Sequence, residues 1–164
     1  NLGISQVEGY EAATESTVNE IDTAYDNGAS DEVIAVIRDY YQAMGEKAGT
    51  VFANNMVSED NALKIVEAGD EGVQFVSLRR PADYEAGHIA NAVNVPFGAD
   101  MLDGVSSLPA DKKLVAYCYS GQTANQATAL LRLLGYDAVS LRFGMGTART
   151  APNGWANKGF AVVQ

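Results

Sequence analysis

Leu114-Val115-Ala116-Tyr117-Cys118-Tyr119-Ser120-Gly121-Gln122-Thr123-Ala124 contains the only cysteine of the 164-residue chain. Leu114 to Tyr117 is a short apolar run that reads as a buried strand. Ala127, Leu130, Leu131 and Leu134 follow at spacings of three and four, the mark of one apolar helix face. Thr123 and Gln126 have the Thr-x-x-Gln form of a capping box, which predicts a helix start near Thr123. Gly135 stands where a left-handed C-terminal cap is expected. The unit is therefore strand, tight loop, helix, with a thiol on the first residue of the loop.

A loop that turns from a strand into a helix points several backbone N–H groups inward, and the helix dipole adds positive potential there. Such a cradle solvates a thiolate better than a thiol and lowers the cysteine pKa. Gly121 supplies the positive φ that a tight turn asks for. Ser120 and Thr123 add hydroxyl donors. A lone cysteine is most often a small buried hydrophobe. Here it closes a strand and opens a polar loop, which favours a nucleophilic thiol in an anion-binding loop.

Bulk properties narrow the alternatives. A chain of this length suits one domain with a modest extension and needs no disulfide or metal to hold a core. One cysteine and one histidine exclude a Cys/His zinc cluster, and nothing in the sequence calls for a cofactor. No apolar run approaches the ~20 residues of a membrane span. The net charge of −10 argues against nucleic acid and anionic membrane surfaces as partners. An anionic substrate must then be drawn in by a local field. Asn at position 1 is compatible with an exported protein, periplasmic or extracellular, that has lost a signal peptide. That reading is favoured over a cytoplasmic one, and a trimmed fragment would look the same.

Residues 1–55 read as an N-terminal helical extension and linker. No Lys or Arg precedes Arg38. Helices are expected over 11–25 and over about 31–45. The second is capped by Ser30 and carries a stripe of Val33, Ile34, Ile37, Tyr40, Tyr41 and Met44. This pair either packs on the main domain or meets a protein partner. Residues 56–164 read as an α/β domain. A helix capped by Ser58 runs from Glu59 to about Ala68, and strands are expected over 73–78, 92–95, 114–117, 138–141 and, as a small last strand, 160–163. Residues 102–108 read as irregular. Strands that alternate with helices imply a parallel sheet covered on both faces.

Arg79, Asp83-Tyr84, Gly87-His88-Ile89 and Ala92-Val93-Asn94-Val95-Pro96 form one motif, and Cys118 to Thr123 form a second at the right distance from it. In these two motifs the chain resembles the rhodanese-like domain family over residues 56–164. The resemblance implies a five-stranded parallel sheet flanked by helices, with Cys118 as nucleophile and Tyr119, Ser120, Gly121, Gln122, Thr123 and Ala124 as the active-site loop at the carboxyl ends of the strands. It also implies a sulfurtransferase. A sulfane sulfur from thiosulfate or a persulfide donor passes through a Cys118 persulfide to a thiol acceptor. A persulfide carrier or sensor, or a redox-sensitive thiol protein, is the alternative.

Two positions depart from the family pattern. Ser77 stands where Asp is usual, and Thr123 where many members carry Arg. The phosphate-binding Arg of the related phosphatases would fall at Ala124, which argues against phosphate chemistry. Arg142 and Arg79 each follow an expected strand, so either could supply the missing positive charge beside Cys118. His88 lies in the Gly-His-Ile piece, which the resemblance makes structural.

Overall fold

The computed structural model describes residues 28–164. The helix expected over 11–25 lies outside them. The compact unit from Asp31 to Gln164 runs in chain order α1 (Asp31–Glu46), a 3-10 turn (Ala53–Asn55), β1 (Met56–Val57), α2 (Glu59–Ala68), β2 (Val73–Ser77), α3 (Pro81–Ala86), β3 (Ala92–Asn94), α4 (Met101–Val105), β4 (Lys113–Tyr117), α5 (Gln122–Leu133) and β5 (Ala138–Leu141). The strands form one parallel sheet in the order β1-β5-β4-β2-β3.

β4 lies at the centre, and Leu114, Val115, Ala116 and Tyr117 are all fully buried. Strand side chains alternate between the faces of a sheet. Leu114, Ala116 and Cys118 thus join Val76, Ala127 and Leu131 in the core under α5. Val115 and Tyr117 join Phe75, Val139, Leu141 and Trp155 in the core on the other face. Burial on both faces explains why Leu114 to Tyr117 is an apolar run with no polar alternation.

Several local expectations hold. Ser58 caps α2, its hydroxyl accepting from Asn61 N–H at 3.3 Å. Gly135, at φ 93°, closes α5. Its N–H donates to the Arg132 carbonyl and Tyr136 N–H to that of Leu131, both at 3.0 Å, the paired bonds of a Schellman motif. Ile37, Tyr40 and Tyr41 of α1 meet Ala129 and Leu133 of α5, although Val33 and Tyr41 of the same stripe stay exposed.

Three expectations are corrected. Residues 160–163 form no strand: only Val163 makes an antiparallel bridge, to His88. This tail is held by Trp155, whose Nε1 donates to the Ala161 carbonyl at 2.8 Å and whose ring meets Phe160 edge-on at 5.2 Å. The fifth strand is β1, whose two residues are too few to show a period. Residues 102–108 are not wholly irregular, because α4 occupies their first half. The capping box does not form either. α5 starts one residue earlier, at Gln122, with Gly121 at the N-cap and no side-chain cap; the Thr123 hydroxyl is turned to Cys118.

Candidate active site

Cys118 sits at the carboxyl end of the central strand, 2% exposed. The residues after it form a cradle because their carbonyls are tied down on the outside. Cys118 O accepts from Met145 N–H and Tyr119 O from Gly146 N–H, each at 2.8 Å. Gly121 O accepts from Asn125 N–H at 3.0 Å, which begins the helix. With the carbonyls facing the 143–146 turn and the helix, the N–H groups face inward. Gly121 N–H donates to Cys118 Sγ at 3.2 Å. The Thr123 hydroxyl and the N–H groups of Ala124 and Ser120 lie near enough to the sulfur to lower its pKa as well.

These donors decide the state of the thiol. Burial by itself raises the Cys118 pKa, but the hydrogen bonds from Thr123, Ala124, Ser120 and Gly121 outweigh it and hold the pKa below its ordinary value. Hydrogen bonds to the charged form favour that form. The sulfur is thus a thiolate at lower pH than a free thiol, and its negative charge is met by dipoles with no cation in the loop.

Two glycines make this packing possible. Gly121 takes φ 92°, as the tight turn demands. Gly144, at φ 56°, passes directly beneath the loop: a β-carbon there would lie 2.4 Å from Cys118 O and 3.0 Å from Gly121 N. Phe143 beside it holds φ 58°, an unusual conformation for an aromatic residue. The 143–146 turn therefore fixes the cysteine loop from below. Its contribution was not foreseen, although the Gly144-Met145-Gly146 spacing is the sequence signal that marks it.

Tyr119 is fastened at its far end. Its hydroxyl donates to Asp83 Oδ2 at 2.5 Å and accepts from Arg80 N–H at 3.2 Å. The segment that follows β2 is thereby joined to the cysteine loop.

Ser120, Gly121, Gln122, Asn125, Arg142 and Phe143 line an open cleft of about 320 Å³ on the outer side of the loop. The exposed Arg142 has its guanidinium 5.0 Å from the Phe143 ring centre. Arg79 lies elsewhere. It is 6% exposed, donates from Nη2 to the Gly87 carbonyl at 2.5 Å, and stands over the Tyr117 ring at 5.7 Å. Its Nε and the Ser77 hydroxyl are both buried without a hydrogen-bond partner. The structure thus brings Arg142 to the loop and turns Arg79 into the core. His88 is also apart: its Nδ1 meets the Tyr84 carbonyl at 3.0 Å and its ring stacks on Tyr84.

Comparison with known proteins agrees with this architecture. The model of the rhodanese-like domain matches residues 60–145. A sulfurtransferase of Allochromatium vinosum is 32% identical over 111 residues, which are 67% of this chain and 94% of that protein. An HTH-type transcriptional regulator of Mycobacterium tuberculosis is 30% identical over 134 residues, 66% of this chain, and the match spans 58% of the regulator's length. A rhodanese-related protein from Thermoplasma volcanium shares the fold, with a TM-score of 0.55 at 22% identity over 66% of this chain and 96% of that one. With just over half of its length matched by the family model and nearly the whole of one relative aligned to it, this chain belongs to the rhodanese-like domain family.

Proposed function

We propose that the chain is a sulfurtransferase that carries a sulfane sulfur on Cys118. The observation that carries this reading is the buried Cys118 sulfur at the end of the central strand, which accepts from Gly121 N–H at 3.2 Å and whose pKa is lowered by the polar groups of its own loop. Family membership and the sulfurtransferase relative support sulfur transfer as the general activity. With thiosulfate as donor, the Cys118 thiolate attacks the outer sulfur. The S–S bond of thiosulfate breaks, sulfite leaves with the electron pair, and Cys118 holds a persulfide anion. An acceptor thiolate then attacks the terminal sulfur, and the Cys118 thiolate is the leaving group. Each half-reaction starts and ends with the same total charge, and the inward N–H groups stabilise the anion present at every stage. The lowered pKa of Cys118 increases the fraction of thiolate available for attack without a general base.

The first test is thiocyanate production from thiosulfate and cyanide by the wild type and by Cys118→Ser. Turnover that vanishes in the variant supports the proposal. A variant that keeps wild-type turnover overturns it. Intact mass adds a second readout: the protein after thiosulfate should be one sulfur atom heavier, and cyanide should remove that atom.

One observation favours a second reading. The segment from Cys118 to Ala124 contains no charged side chain, so a thiosulfate dianion meets only dipoles within the loop. A persulfide donor places less charge there. Slow thiosulfate turnover with rapid loading from a persulfide would identify the chain as a persulfide carrier fed by another protein.

A further inference from the structure

The cleft beside the cysteine loop does not end at Arg142. A second open cleft, about 490 Å³, continues on its far side and is lined by Thr50, Asn54, Ser58 and Asn61 among others. Met56 and Arg142 line both. Each falls in the range of small-molecule sites, about 300–1,000 Å³.

The lining is unusual for this chain. The sequence has 21 acidic residues against 11 basic ones, yet neither cleft is lined by an Asp or a Glu. The carboxylates on this flank are committed elsewhere. Asp60 pairs with Lys158 at 2.7 Å, and Glu59 accepts from Gly154 N–H at 2.9 Å. Neutral polar residues line the space instead. The Ser140 hydroxyl donates to Asn125 Oδ1, which leaves the Asn125 amide nitrogen as the free pole of that side chain. Gln122 and Ser120 stand beside it. The Arg142 guanidinium forms no ion pair among the described residues and stands 5.0 Å from the Phe143 ring centre. A planar, unpaired guanidinium with neutral amides around it is suited to a carboxylate.

We propose that this double cleft is the acceptor subsite and that Arg142 selects small thiols carrying a free carboxylate. The inference rests on the sulfurtransferase reading and adds the class of the second substrate. The Ser120–Gln122 rim separates the cleft from Cys118. An acceptor anchored through its carboxylate at Arg142 places its thiol over that rim, toward the terminal sulfur of the persulfide.

The test compares two acceptors with thiosulfate as donor: glutathione, which carries carboxylates, and 2-mercaptoethanol, which carries none. The readout is the ratio of their kcat/KM values in the wild type, Arg142→Ala and Arg142→Lys. In Arg142→Ala the ratio should fall about five- to tenfold, as expected for one charge-assisted contact at an exposed site, through a raised KM for glutathione. Arg142→Lys should recover part of it. An unchanged ratio overturns the proposal. So does a rise confined to the thiosulfate KM, which would put Arg142 on the donor. A titration with unreactive S-methylglutathione separates this inference from the reading beneath it. If the chain transfers sulfur to no acceptor, the sulfurtransferase reading fails. Binding that Arg142→Ala weakens severalfold still supports the cleft, and absence of binding overturns it.

Discussion

Replacing Gly144 by alanine tests whether the cysteine loop owes its shape to the turn beneath it. The added β-carbon would start 2.4 Å from Cys118 O, and 3.0 Å from both Cys118 C and Gly121 N. Non-bonded heavy atoms settle at roughly 3.5 Å, so loop and turn must separate by about 1 Å. Alanine at φ 56° adds roughly 1–2 kcal/mol of backbone strain. The Met145 N–H to Cys118 O bond, 2.8 Å in the native turn, would be stretched or lost, for about 1 kcal/mol more. The sum is a destabilisation of about 2–3 kcal/mol, read from the urea midpoint. The catalytic loss should be larger than stability explains, because a misplacement of about 1 Å can cost roughly a hundredfold in rate. Thiocyanate production, measured where the variant is fully folded, should fall about 10- to 100-fold. Gly135→Ala is the control. It has φ 93° with nothing near its virtual β-carbon, so it should suffer strain alone and keep its rate. A Gly144→Ala protein no less stable than Gly135→Ala, and equally active, would refute the reasoning.

Thr123→Val removes a hydroxyl donor from the Cys118 sulfur at nearly constant volume. The pKa of Cys118 is held low in the folded protein, so reactivity persists as pH falls until that pKa is crossed and then declines. In the variant the inflection of iodoacetamide alkylation against pH should move upward, and the rate at pH values below the wild-type inflection should fall roughly tenfold, the worth of a hydrogen bond to a charged group. Ser77→Asp places a carboxylate against the buried Arg79, whose Nε has no partner. It should raise stability at pH 7 by about 1–2 kcal/mol in urea unfolding, an advantage that disappears when the variant is acidified. A destabilised Ser77→Asp would mean that Arg79 is already satisfied by the Gly87 carbonyl. Asp137 accepts from Lys113, Lys47 and Arg132. Burial opposes its ionisation, but these cations hold its pKa at about 2, against 3.8 ordinarily. A lowered carboxylate pKa stabilises above the unfolded value, and that stability is lost as pH falls from about 4 to about 2. The side chain is half exposed, so screening leaves about 1 kcal/mol or less. Asp137→Asn should lose that amount at pH 7 and close the gap with the wild type near pH 2, with added salt narrowing the difference.

The sequence by itself determined the strand–loop–helix unit around Cys118, because its signals are local. An apolar run, a polar loop with a glycine, and a helical stripe closed by Gly135 each follow from neighbours within a few residues. The parallel sheet was legible for the same reason: strands buried on both faces are mostly apolar, as Leu114 to Tyr117 of β4 and Phe75-Val76 of β2 are. What lay beyond reach were contacts made across the fold. β1 has two residues and exists only because Met56 and Val57 pair with Ser140 and Leu141. Thr123 has the sequence of a helix cap, but the tight loop places Gly121 at the N-cap and starts α5 at Gln122, so Thr123 lies inside the first turn and cannot cap it. Arg79 and Arg142 looked alike, each following a strand; the 143–146 turn and the Gly87 carbonyl sent one to the cleft and the other into the core. The sequence thus singled out Cys118 and its loop. What braces that loop from below, and which arginine stands beside it, depended on the 143–146 turn, far along the chain, which only folding brings within hydrogen-bond distance.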